Sequence, residues 1–104
     1  MKEKSFKNIE HNKIHLNFPN GNWISTIWGV GSYTENNFVN IEHGSFMKLY
    51  QTFMESNDVE VMIECSEELK EKIHKKYDGD GSVIGHLNIT QWLEIVNLIS
   101  KEAK

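Results

Sequence analysis

The sequence predicts an α+β fold: a small, mostly antiparallel sheet of three to five strands, opened by an N-terminal hairpin and packed with three helices. Three observations predict it. Asn20-Gly21 sits between two short apolar-alternating runs, the strongest local signal for a hairpin. Val59–Glu64 alternates with period two, as a strand with one wet side does. Apolar residues at Ile89, Leu93, Val96 and Ile99, widened by Trp92 and Ile95, recur with helical spacing. A length of 104 residues fits one domain, 1–104, long enough to bury a core without a metal or disulfide staple.

Residues 1–12 are polar and aperiodic, which predicts a flexible arm or a weak first strand. A two-residue turn at Asn20-Gly21 would pair Pro19 with Asn22, Phe18 with Trp23, Leu16 with Ser25 and Ile14 with Ile27. One face then carries Ile14, Leu16, Phe18, Trp23 and Ile27; His15, Asn17, Ile24, Thr26 and Trp28 take the other. Gly29–Asn37 is a glycine- and asparagine-rich loop. Ser45 is an N-cap candidate for a helix with Phe46, Leu49, Tyr50 and Phe53 on its apolar stripe, closed by Ser56-Asn57-Asp58.

In the strand Val59–Glu64, Val59, Val61 and Ile63 face inward, and Glu60 and Glu64 share the other side. Ser66 caps a second helix with acids in its first turn and His74, Lys75 and Lys76 in its last, the order the helix dipole favours. Glu68–Lys72 and Glu71–Lys75 are i, i+4 pairs, and Leu69, Ile73 and Tyr77 form a narrow apolar seam. Asp78–Gly81 is a turn and Ser82–Leu87 a strand. Asn88 and Gln91 make the two halves of a capping box that starts the last helix.

Hydrophobic residues make up 38% of the chain, charged residues 25% and aromatics 11%, the composition of an ordinary globular protein. A single cysteine, Cys65, leaves no internal disulfide and suits a reducing cytoplasm. No apolar run is long enough to span a bilayer, and no apolar core of a leader follows the charged start, so no membrane partner is expected. Net charge is −4, and all 11 basic residues are lysines. Without arginine there is no planar fork for phosphate or guanine, and no direct nucleic-acid contact is expected.

Candidate chemistry is sparse. Gly29 and Gly31 lack the third glycine of a dinucleotide loop and the Gly-Lys-Ser/Thr of a phosphate loop; they suit a strand that leaves its sheet sharply. Asp78-Gly79-Asp80-Gly81 resembles the middle of a calcium loop, but Lys76 and Leu87 fall where its first and last ligands should be. The histidines His11, His15, His43, His74 and His86 show no zinc spacing, so no metal or other cofactor is called for. His86 reads as a strand histidine bonded to its neighbours. Cys65 and His74 are over two helical turns apart, too far for proton transfer. Glu60 and Glu64 read as a solvated strand face. No catalytic set assembles, and the expectation is that the protein is not an enzyme.

What remains is a polar, aromatic surface: Trp28 with Ile24, followed by Tyr33, Thr34, Glu35, Asn36 and Asn37, which offer donors and acceptors on a loop. If Trp28 is exposed, the patch can anchor a partner protein or make a homodimer.

The residues Phe18-Pro19-Asn20-Gly21-Asn22, Ile24-Ser25, Trp28-Gly29, Gly31–Asn36, Val59–Ile63, Val83–Leu87 and Trp92-Leu93 resemble a group of small uncharacterised proteins encoded by phages and prophages of low-GC Gram-positive bacteria. The likeness spans about residues 14–99 and carries no established activity. It implies an accessory protein in a bacterial host cell that binds a host protein, such as an immune effector of the CRISPR nuclease kind. The expected function is therefore non-enzymatic binding that inhibits or modulates a host defence protein, in the manner of an anti-CRISPR. The alternative is a binder that sequesters a nucleotide signal, for which Lys72, Lys75 and Lys76 form the lysine cluster.

Overall fold

In the computed structural model, residues 5–10, 12–28 and 55–103 are described. Five strands run β1 (Phe6–Glu10), β2 (Lys13–Asn17), β3 (Trp23–Ile27), β4 (Val59–Glu64) and β5 (Ile84–Leu87), with α1 (Glu67–Lys76) before β5 and α2 (Ile89–Lys101) after it. The strands lie in the sheet in chain order, each antiparallel to its neighbour. Part of the polar N-terminal stretch is thus a true edge strand, β1. Two helices stand among the described residues; the third expected one, from Ser45 onward, lies outside them.

The hairpin between β2 and β3 forms, but one residue out of the expected register. Leu16 faces Ile24, Ile14 faces Thr26 and Asn17 faces Trp23. The loop is Pro19-Asn20-Gly21, closed by Phe18 N donating to Asn22 O at 2.9 Å and Gly21 N to Phe18 O at 3.0 Å. Pro19 is the reason. A two-residue turn needs the residue at position 19 to donate its N–H to Asn22, and proline has none. The three-residue loop moves that duty to Phe18, sets the fixed φ of Pro19 on the first corner of a type I turn, and leaves Gly21, at φ 92°, the left-handed position.

The slip turns β3 over. Ile24, expected outside, is fully buried at 0% exposure, and Thr26 is buried beside it. Trp23 and Ile27, expected in the core, point to the other face. The core joins Leu16, Ile24, Val61, Ile63, Ile84 and Leu87 from the sheet to Ile73 from α1 and to Ile95 and Ile99 from α2. Each such side chain contributes about 1.5–3 kcal/mol of burial. Both helices therefore lie on one face of the sheet.

Polar bonds fix how the helices sit. The Trp92 indole Nε1 donates to Thr26 Oγ1 at 2.8 Å, which pins the first turns of α2 to β3. At its other end the hairpin loop caps it: Asn20 Nδ2 donates to the carbonyls of Ile99 (2.9 Å) and Glu102 (3.0 Å), and Asn22 Nδ2 donates to Ile99 O (2.8 Å). These are carbonyls that a helix end leaves without an intrahelical partner. The Glu102 carboxylate accepts from Asn22 Nδ2 and from Ser66 N, and it also bonds the Ser66 hydroxyl. Ser66 in turn caps α1 through Leu69 N. Start of α1, end of α2 and hairpin loop are one polar cluster, and the two helices run antiparallel.

The expected capping box is present: Gln91 N donates to Asn88 Oδ1 and Asn88 N to Gln91 Oε1, both at 2.9 Å. His74 is buried on α1, and its Nδ1 accepts from Gly81 N at 3.2 Å, so the ring holds the turn that follows the helix. Burial pushes the His74 pKa below its ordinary value, which keeps the ring neutral and Nδ1 free to accept.

Candidate functional site

The face of the sheet away from the helices is the candidate site. Register places its residues in cross-strand rows: Asn17, Trp23 and Glu64; His15, Ser25 and Met62; Lys13, Ile27 and Glu60. Alternation along β2, β3 and β4 puts all nine on this side. Met62 is 46% exposed and Trp23 half-buried, so the centre of the face is open apolar surface. At one end Glu60 is only 9% exposed, so the expectation of two solvated glutamates holds for Glu64 and fails for Glu60.

Trp23 is held in place. Its ring lies 5.2 Å from the His15 ring at an interplanar angle of 35°. The imidazole is fixed from both nitrogens: Nδ1 to Ser25 Oγ at 2.7 Å and Nε2 to Asn17 Oδ1 at 3.0 Å. The Asn17 carbonyl accepts, so Nε2 carries the proton and Nδ1 takes the Ser25 hydroxyl hydrogen. Beside Glu64, Lys70 of α1 reaches over with its ammonium 3.1 Å from the carboxylate, and that bond raises the Lys70 pKa.

Hydroxyl, imidazole and amide here stand in the order of nucleophile, base and orienting group. The sheet denies them the rest of that chemistry. Strand N–H groups lie in the sheet plane and point at neighbouring strands, so none is aimed above the face at a developing oxyanion. The chain of bonds orients Trp23.

The residues singled out in the sequence fall differently. Trp28, one position past β3, keeps the alternation of Ile24 and Thr26, which is the helix-covered side, and is half-buried. Its backbone N donates to Asn12 O at 3.1 Å. Tyr33, Thr34, Glu35, Asn36 and Asn37 lie outside the described residues. The indole on the open face is therefore Trp23. Sequence reasoning assigned it to the core, and the signal that could have corrected this was Pro19. Of the lysine cluster, Lys72 pairs with Glu68 at 3.8 Å and Lys76 with Glu94, while Lys75 is exposed. Among the described residues, no three or more His, Cys, Asp or Glu side chains gather as a metal site.

No family model matches this chain, and no curated protein and no solved structure matches it either. Among the described residues no helix is long and apolar enough to cross a membrane.

Proposed function

We propose that this chain is a non-enzymatic protein-binding module that recognises its partner through the open sheet face centred on Trp23. The observation that carries the proposal is the fixed indole: Trp23 lies on His15, and His15 is itself bonded at both nitrogens. Tryptophan dominates interface hot spots, and a side chain already held in place loses little entropy on binding. Met62 and Ile27 extend the apolar centre; Lys13 on one flank and Glu64 on the other supply charge for register with a partner. Nine same-face residues cover roughly 300 Å² at ordinary strand spacing, less than the ~800 Å² a stable interface takes from each partner. The loop from Gly29 to Asn37, which follows β3 directly, is proposed to widen the surface. The resemblance to phage and prophage proteins supports a host defence protein as the partner, met in the cytoplasm of a bacterial cell.

The test is capture from bacterial lysate on immobilised protein, quantified by mass spectrometry, for the parent chain, Trp23→Ala and Trp28→Ala. Loss of a hot-spot indole removes about 2 kcal/mol or more, a fall in affinity of about 30-fold. Trp23→Ala is expected to lose the captured protein while circular dichroism stays unchanged. Capture that survives Trp23→Ala refutes the proposed face.

A further inference from the structure

A cleft of about 480 Å³ opens between the end of α1, the following turn and β5. That volume is in the range of small-molecule sites, about 300–1,000 Å³. Its lining includes Tyr77, Asp78, Asp80 and His86 together with the apolar Val83 and Leu87. The backbone aims two of these residues with some effort. Asp78 and His86 are both left-handed, at φ 56° and 54°, a conformation costly for residues with a Cβ. His86 sits in a β-bulge: between the pairs Val59–Leu87 and Val61–Ile84, one β4 residue opposes Gly85 and His86.

The balance of donors and acceptors identifies what the cleft would hold. Of its own donors, the Tyr77 hydroxyl bonds Glu94 Oε1 and the Lys76 ammonium is ion-paired with the same carboxylate, which leaves the Gln91 amide nitrogen as the neutral donor of the lining. Those bonds hold the Glu94 carboxyl below, and the Lys76 ammonium above, their ordinary pKa values. Acceptors are in surplus. Asp80 uses Oδ1 to take the N–H groups of Ser82 (2.8 Å) and Val83 (2.9 Å), bonds that lower its pKa and keep it ionised. Its second oxygen makes no hydrogen bond among the described residues. The Asp78 side chain makes none there either. His86 Nδ1 lies 3.1 Å from Asp58 Oδ2, an acceptor, so Nδ1 donates there, and Nε2 makes no hydrogen bond among the described residues.

Two lining carboxylates, Asp78 and Asp80, thus face one lining ammonium that is already ion-paired with Glu94, so the uncompensated charge of the cleft is negative, which disfavours phosphate. Among the described residues no cluster suits a metal ion, which leaves an organic cation. Val83, Leu87 and the Tyr77 ring, which already has the Lys76 ammonium 5.5 Å from its centre, suit an alkyl stem behind a positive head. We propose that this cleft binds a small alkyl ammonium or alkyl guanidinium compound, a role separate from the protein-binding face.

Isothermal titration calorimetry of the full chain with agmatine tests it, with inorganic phosphate and the tripeptide Gly-Arg-Gly as comparisons. Agmatine is expected to bind, phosphate not to, and the tripeptide to bind more weakly. Asp78→Asn and His86→Asn, whose new side chains tolerate the left-handed backbone, should each weaken agmatine about tenfold, the worth of one charge-assisted hydrogen bond. Melting temperatures should change little. Absence of agmatine binding, or binding that both variants leave unaltered, overturns the proposal; tighter binding of the tripeptide overturns the small-molecule assignment.

Discussion

Gly79 is where a single methyl group tests the packing most severely. Its φ is not in the left-handed region, so alanine is not refused by the backbone. The space refuses it: a Cβ at this position would lie 2.1 Å from His74 Nδ1 and 2.7 Å from Ile84 Cγ1. Neither neighbour can swing into solvent, because Ile84 is fully buried and His74 nearly so. Overpacking of this kind costs about 1–3 kcal/mol. A displaced imidazole also gives up the Gly81 N–H, about 0.5–1.5 kcal/mol more. Gly79→Ala should therefore destabilise by about 2–4 kcal/mol, out of a total of about 5–15 kcal/mol for a natural domain. In urea, followed by tryptophan fluorescence, the midpoint should fall by about 1–2 M for an m-value near 2 kcal/mol/M. The decisive measurement is a double-mutant cycle. With the ring removed by His74→Ala, Ile84 gains room, and adding Gly79→Ala should cost less than about 1 kcal/mol. An equal cost in both backgrounds would refute the steric account.

His74 also makes stability depend on pH. Its folded pKa is depressed by burial, so just below the ordinary value near 6.5 the unfolded chain takes up a proton that the folded one does not. Stability should be full above about pH 6.5 and fall as pH drops from there toward the lowered folded value, and His74→Gln should flatten that part of the curve; urea midpoints between about pH 7.5 and 5 check it. Ser66→Ala removes the cap of α1 and a partner of Glu102, for an expected loss of about 1–2 kcal/mol. Combined with Glu102→Gln, the losses should be less than additive, because both residues belong to one cluster; thermal unfolding of the two single variants and the double measures this.

The elements whose signals are local were legible. Period-two alternation marked β4, the serine cap with ordered charges marked α1, and the Asn88–Gln91 box marked the start of α2. What misled was a conflict between two adjacent local signals. Asn-Gly asked for a two-residue turn, while Pro19 could not close one, and the missing N–H decided the register. Because strand faces alternate, that one-residue shift exchanged Trp23 for Ile24 and moved the candidate indole from Trp28 to Trp23. The cleft was less accessible. Asp78–Gly81 was recognisable as a turn, but the left-handed His86 arises only when β5 bulges against β4, a pairing no short window of sequence contains.

Strands β3 and β4 are immediate antiparallel neighbours although about thirty residues separate them along the chain. Five cross-strand pairs, from Trp23–Glu64 to Ile27–Glu60, join them. Chain-closure entropy grows only slowly, about 0.6 kcal/mol for each doubling of length. A connection of that length therefore adds little closure cost to the pairing of β3 with β4 compared with a shorter one. The pairing of β3 with β4 is thus a long-range contact whose entropic cost is modest for its sequence separation.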